Sequence, residues 1–449
     1  MFIYNAVLAY NAWIWGIPIL IILIGGGLYL SFVTGFVQVR HFPDVLKSTV
    51  GGMFNKEEMK EETGKHHGTI SSFQAVSAAL AAVLGTGNIV GVGTAIAAGG
   101  PGAIFWMWVV GFVAMALKYS EACVSIAVRE KKPEGGYKGG ANYYLSKINK
   151  PLGFAWSIAM IYGLITAAGV HTGSVVTACE SLGIPRLVAT IVVCIIIALI
   201  IFGGIQALVQ ITERLVPFMA AIYIIAGLAV VVLNIGNLIP AIVSIFKGAF
   251  TGTAAIGGFA GATISAAIRN GCARGVYSSD AGNGQSSIAY SQSSETDPVK
   301  QGMWGIFEVF FDTIVVCTFT ALVILCTGVW QTGEAGSTLA ITAFTSALGG
   351  VGKVIASIGL MMFAGSTVLA FCTFIGLTCE NVFGKTGRWI GFVILAFVGG
   401  MVGVDILLGW ADFGNSLTLT LNIIGLLCFS KKIAQWTRNY FEKGNSFAE

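Results

Sequence analysis

Gln74–Thr94, QAVSAALAAVLGTGNIVGVGT, decides how the rest of the chain is read. The stretch is apolar enough to enter a membrane, yet Gly85, Thr86, Gly87 and Asn88 stand at its centre, a poor composition for a continuous helix. The pattern predicts a helix that unwinds in the middle. Inside hydrocarbon an unwound turn leaves N–H and C=O groups without partners, which is tolerable only where the backbone faces protein or a polar cavity. A half-helix beginning near Asn88 offers N–H groups and a positive dipole end to an anion such as a carboxylate, and one ending near Leu84 offers bare carbonyls to a cation. The competing reading is a glycine-rich packing face against a neighbouring helix.

The composition puts this stretch in a bilayer. Of 449 residues 55% are apolar and 10% charged, a balance that would leave a water-soluble domain with far too much apolar surface. Many runs exceed the roughly 18 apolar residues that cross a membrane as a helix, and they lack the short alternating segments of a barrel. The fold class is therefore an all-α polytopic membrane protein. The nine cysteines lie mostly in apolar runs without CxxC or Cys/His spacing, which argues against a metal or haem. The histidines, His41, His66, His67 and His171, form no HExxH, and no GxxxxGK[ST] occurs, so neither an enzyme nor ATP-driven transport is expected. Nor is nucleic acid an expected partner. A channel would want a continuous polar pore or a ring of like residues, which the sequence does not offer.

Eleven spans fit, at about residues 13–36, 70–98, 101–128, 152–180, 187–205, 213–234, 250–275, 301–328, 353–381, 388–405 and 408–430. Carrying the alternation through puts twenty-one of the 25 basic residues on one side, including Lys60, Arg129, Lys138, Arg269 and Arg274. Arg186, Lys247 and Lys353 fall on the other, and Lys118 lies inside a span. The positive-inside rule then places the amino terminus outside and the carboxyl terminus in the cytoplasm of a multi-pass plasma-membrane protein. Five spans after the first interrupted one comes a second, Phe250–Gly275, with Gly257, Gly258 and Gly261 crowding its first half. Interrupted spans at matching positions of two five-helix halves point to an inverted repeat whose breaks meet at the midplane. The expected organisation is an extra amino-terminal helix in 1–36, a cytoplasmic linker with an amphipathic helix in 37–69, five-helix repeats in 70–234 and 235–430, and a cytoplasmic tail in 431–449. Lys118 and Glu121 share a face of the third span, and Glu308 and Asp312 a face of the eighth, as an ion-pair network or as functional charges. His171 reads as a hydrogen-bonded packing residue.

The second and third spans together, LGTGNIVGVGTAIAAGGPGAIFWMW, resemble the alanine/glycine:cation symporter family, of sodium:alanine symporter type within the amino acid-polyamine-cation superfamily. Gly139-Gly140 before Tyr143-Tyr144 is similar to its Gly-Gly-x-x-Tyr-Tyr, and Arg274-Gly275-Val276-Tyr277-Ser278 leading to Ala281-Gly282 and Gly284, then Asp297-Pro298-Val299 and Gln301-Gly302, to its later segments. Ser279-Asp280 stands where Asn-Glu is frequent, Gln285-Ser286-Ser287 replaces Ser-Ala-Pro and Ala141-Asn142 replaces Pro-Met, all in stretches the span count assigns to cytoplasmic loops. The resemblance implies symport of alanine or glycine with a co-transported sodium ion, or with a proton as the alternative cation. It also implies a leucine-transporter-type 5+5 inverted repeat with two broken helices plus one extra amino-terminal helix. On that fold the cation would sit on carbonyls of Ala81 and Leu84 with oxygens of Ala364, Ser366 and Thr367. The substrate carboxylate would sit on N–H groups at Thr86, Gly87 and Asn88, and its ammonium on carbonyls at Gly257, Gly258, Phe259 and Gly261.

The basic-residue split predicts that a cysteine placed at Lys60 or Lys138 reacts only with a thiol reagent admitted to the cytoplasmic side. Labelling of both positions from outside intact cells would reverse the topology.

Overall fold

A computed structural model describes residues 2–51, 70–133, 135–201, 204–251, 263–383, 399–401 and 404–447. Helices α1 (Phe2–Ile14) and α2 (Ile17–Val33) form a pair bent by 46°, as do α3 (Ser72–Val83) and α4 (Gly87–Gly99). After α5 (Gly102–Val128), the strands β1 (Glu130–Lys131) and β2 (Tyr137–Lys138) pair antiparallel and lead into α6 (Ala141–Ile148). Then come α7 (Lys150–Ser181), α8 (Arg186–Ile201), α9 (Gly204–Leu233) and α10 (Leu238–Thr251). The chain continues with α11 (Ile264–Ser279), the short α12 (Ser286–Tyr290), α13 (Pro298–Thr327), α14 (Gly336–Phe383) and α15 (Val404–Lys443).

Local chemistry sets several of these boundaries. Ser71 and Gln74 form a reciprocal capping box at the start of α3, with both hydrogen bonds at 3.1 Å. Asp297 caps α13 and Pro298 supplies its first turn. Gly349, at φ +62°, kinks α14.

Among the described residues six helices are long and apolar enough to span a membrane, and the two bent pairs raise this to eight. Of the eleven expected spans, two correspond to the 16-residue helices α8 and α11, and 388–405 lies largely outside the described residues. The amphipathic helix expected near residues 57–62 also lies outside them. Two sequence expectations change. Residues 238–249, left between the expected spans 213–234 and 250–275, belong to α10, which runs on to Thr251. The tail expected from 431 is instead a continuation of α15 as far as Lys443.

α5 packs along α11 and α13, whereas α7 packs along α14 and α15. Small residues let these backbones approach closely. A Cβ on Gly271 would lie 2.3 Å from Ala103 O, and one on Gly414 would lie 2.7 Å from Gly163 Cα. The contacts of Gly99 with Ala266 and Ala267, and of Gly271 with Ala103 and Trp106, run α11 from the Gly99 end of α4 toward the middle. Arg269 and Arg274 therefore lie toward the end of the bundle opposite Arg129, so two of the twenty-one residues assigned to the basic side change sides.

Gly102 faces the backbone of Gly248, where an added Cβ would fall 2.1 Å from a carbonyl carbon. Gly102→Val should separate α5 from α10 and destabilise the protein by about 1–3 kcal/mol or more, the usual cost of overpacking. Gly376→Ala, with nothing within 4 Å of the new methyl, should be neutral or slightly stabilising. Melting curves of the purified variants check both.

Candidate transport site

The first helix stops where the glycines predict. Leu84 leaves the helical region at φ −70°, ψ 79°, and the chain resumes as a wide π-helical turn over Gly87–Gly91. Two freed N–H groups are met by side chains. Gly85 N donates to Asn88 Oδ1 at 2.9 Å, and Thr86 N to His171 Nδ1 at 3.4 Å. The second contact requires an unprotonated Nδ1, so His171 is the Nε2–H tautomer. Asn88 Nδ2 donates to Asp312 Oδ1 at 2.6 Å and to Ser278 Oγ at 3.3 Å, and Ser278 Oγ in turn donates to Asp312 Oδ2 at 2.9 Å. The π-helical turn Phe310–Val316 in α13 carries Asp312 and Thr313 into this cluster. Thr86 Oγ1 lies 3.3 Å from the Tyr277 hydroxyl.

A second non-helical segment faces the first. α11 ends at Asp280 (φ +47°), and Gly282 and Gly284 follow at φ +89° and +85°, so three left-handed residues in five turn the chain into α12. The segment is buried: Asp280, Asn283 and Gln285 are 5%, 2% and 2% exposed. Asp280 accepts from Asn283 and Gln285, both at 3.0 Å. A cavity of about 10 Å³, room for one water, lies between the breaks, with His171, Tyr277, Asp280, Gln285 and Phe371 in its wall. The expected cytoplasmic loop at 278–287 is thus a buried link at the centre of the molecule.

On the α14 side of the first break, oxygens converge. Thr367 Oγ1 is 3.0 Å from Ala81 O, 3.5 Å from Leu84 O and 3.0 Å from Phe363 O. The Thr367 hydrogen can serve only one of these carbonyls at a time, and Ala81 O and Leu84 O lie where α3 ends, so the group keeps acceptor capacity to spare. Adjacent Ser366 turns to Phe363 O (2.9 Å) and to Met219 Sδ of α9 (3.8 Å), and Ala364 packs with Val175, Val176 and Cys179 of α7.

Two ion pairs flank the site. Arg274 of α11 meets Asp412 of α15 at 2.7 Å and lies over the Tyr277 ring. Lys118 of α5 meets Glu308 of α13 at 3.1 Å and donates to Ser286 Oγ at 2.8 Å, while Tyr290 donates to Glu308. The charged residues noted on the third and eighth spans therefore part company. Lys118 and Glu308 join α5 to α13 and α12, Glu121 contacts the link, and Asp312 belongs to the first break.

Of the residues singled out in the sequence, Thr86, Gly87 and Asn88 meet α11 and α13, and Ala81, Leu84 and Thr367 meet one another. The Ser366 hydroxyl turns to Met219 Sδ and back to Phe363 O of its own helix, away from Ala81 and Leu84. Gly257, Gly258, Phe259 and Gly261 lie outside the described residues. Sequence reasoning missed Asp280–Gln285, although Asp-Ala-Gly-Asn-Gly is a strong turn signal, and it missed the Phe363 carbonyl. A Cβ on Gly87 would stand 2.6 Å from Ser278 Cα. Gly87→Val should therefore force α11 away from the break and abolish binding of alanine, the substrate that the sequence resemblance implies, in a protein that still elutes as a single species. A monodisperse variant that binds alanine with native affinity would remove this break from the site.

The sodium:alanine symporter family model matches residues 1–448. The chain is 39% identical to the sodium/alanine symporter AgcS of Methanococcus maripaludis, over 96% of both chains. It is 38% identical to an uncharacterized transporter of Haemophilus influenzae, over 97% of this chain and 95% of that one. It is also 34% identical to the putative sodium/proton-dependent alanine carrier protein YrbD of Bacillus subtilis, over 96% and 91%. The crystal structure of an Eremococcus coleocola manganese transporter shares the fold, with a TM-score of 0.51 at 13% identity over 82% of this chain and 77% of that one. With an interrupted helix facing a buried non-helical link in an apolar bundle and a family match over nearly its whole length, this chain belongs to the sodium:alanine symporter family of membrane transporters.

Proposed function

We propose that the chain is a sodium-coupled symporter importing a small neutral amino acid, alanine or glycine, across the plasma membrane by alternating access. The observation that carries this reading is the Thr367 cluster, in which a hydroxyl and three carbonyl oxygens from two helices converge beside the first break. Neutral oxygens suit a hard cation that must leave in every cycle. Sodium would be held by the oxygens of Ala81, Leu84, Phe363 and Thr367. The names of the relatives, a sodium/alanine symporter and a putative sodium/proton-dependent alanine carrier, agree with this chemistry.

The substrate carboxylate would take the first N–H groups of α4, at Gly87 and Asn88, with the Thr86 hydroxyl beside them. Among the described residues, Asp280 and Gln285 in the cavity wall offer the ammonium a carboxyl and an amide oxygen. A cavity of about 10 Å³ is too small for alanine, so its side chains must move to admit substrate. The Arg274–Asp412 pair would close one end of the path. We read the Arg129 end as cytoplasmic, and the architecture as two five-helix repeats behind an extra amino-terminal helix.

Sodium-dependent alanine uptake into proteoliposomes tests the assignment. Thr367→Ala should raise the half-maximal sodium concentration at least about tenfold, the order of 1.5 kcal/mol for one charge-assisted contact. Ser366→Ala should stay within about threefold, because its hydroxyl turns to Met219 and back-bonds Phe363 O without meeting Ala81 or Leu84. Some loss of alanine affinity must accompany the Thr367 change, since the two sites are linked. Unchanged sodium dependence in Thr367→Ala would move the cation elsewhere, and uptake indifferent to sodium would end the sodium reading.

A further inference from the structure

The link between α11 and α12 puts two side chains in the cavity wall, and groups from four other helices hold it there. Trp156 Nε1 of α7 donates to Asn283 O at 2.9 Å. Glu121 Oε1 of α5 accepts from Gly284 N at 3.0 Å. Asn422 Nδ2 of α15 donates to Gly282 O and to Glu121 Oε1, both at 2.9 Å, and Tyr144 of α6 donates to Asn422 Oδ1. Glu121, Tyr144 and Asn422 are fully buried. Gly284 has no spare room, since a Cβ there would lie 2.7 Å from Ala141 Cβ and 3.0 Å from Trp156 Cζ2. The amide can point only one way, because Gly282 O and a carboxylate oxygen both need a donor and the Tyr144 hydroxyl is free to donate to the other end. The ammonium one turn away, Lys118, pairs with Glu308.

We propose that Asn422 and Glu121 are positioning residues for transport. They fix Gly282–Gly284 so that Asp280 and Gln285 face the cavity, and they act through hydrogen bonds rather than through the charge of Glu121. Three left-handed residues within five have little intrinsic preference for one conformation, so the fixed geometry comes from these outside contacts. Tyr144 orients the amide and gives the Gly-Gly-x-x-Tyr-Tyr segment a place beneath the cavity. The proposal rests on the cavity being the alanine site.

Initial rates of alanine uptake in proteoliposomes test it. Asn422→Asp puts a carboxylate against Glu121 Oε1 and Gly282 O, and should raise the KM for alanine about tenfold or more while the maximal rate falls less than about threefold. Glu121→Gln retains an acceptor for both N–H groups and should keep KM within about threefold of wild type. Tyr144→Phe should raise KM about threefold, and it decides the matter if Asn422→Asp does not yield folded protein. A native KM in Asn422→Asp, or in Tyr144→Phe where that variant must stand in, would overturn the proposal. So would a Glu121→Gln defect as large as that of Asn422→Asp, or losses confined to the maximal rate. A wild-type protein that takes up no alanine would overturn the symport reading and this proposal together.

Discussion

An interrupted helix survives in hydrocarbon only if the backbone groups freed by the interruption find partners within the protein. Here much of that burden falls on the amide of Asn88. Its oxygen caps Gly85 N–H and its nitrogen reaches Asp312 and Ser278, so the side chain that closes the break also ties α4 to α11 and α13. Asp312 needs those donors equally. It is fully buried and receives the Asn88 amide and the Ser278 and Thr313 hydroxyls, and an unpaired carboxylate in its place would carry a heavy desolvation penalty. The wide turn in α13 supports this arrangement by bringing Asp312 and Thr313 to the break from a helix that otherwise packs along α5.

The two breaks lie between two packing groups, α5 with α11 and α13 on one side and α7 with α14 and α15 on the other. The oxygens around Thr367 come from α3 and α14, and the cavity wall draws on α7, α11, α14 and α15. A ligand held between the groups would contact both, so relative motion of the groups would change its surroundings without breaking either group's own core. That is the geometric requirement of alternating access, and the proposed cation oxygens likewise come from two helices, α3 and α14, rather than one.

Much of this was legible in the sequence, and the parts that were not share a physical cause. Gly85-Thr86-Gly87-Asn88 announced the first break because glycine and asparagine are poor helix residues in a span too apolar to be a loop. Asp280–Gln285 stayed hidden because its composition is that of an exposed turn, and composition does not reveal whether a polar turn is solvated or buried with partners. The family motifs ran through it but carried no depth. Phe363 was missed because a carbonyl oxygen leaves no mark on residue type. Ser366 and Thr367 looked equivalent, yet successive helical residues point about 100° apart, and only Thr367 faces the break.

The resemblance that seemed scattered along the chain becomes one physical object in the fold. Tyr144 from the Gly-Gly-x-x-Tyr-Tyr segment, Gly282 and Gly284 from the segment after Tyr277, and Glu121 and Asn422 from distant helices meet in a single run of hydrogen bonds. Lys118, Glu308, Ser286 and Tyr290 form a second set on α12, the short helix that follows the link. The link is thereby held at both ends by buried polar groups in a membrane interior that gives them no water as an alternative. Each group in these sets needs the others to remain satisfied, so a change in the link must be shared by α5, α6, α13 and α15 rather than absorbed locally.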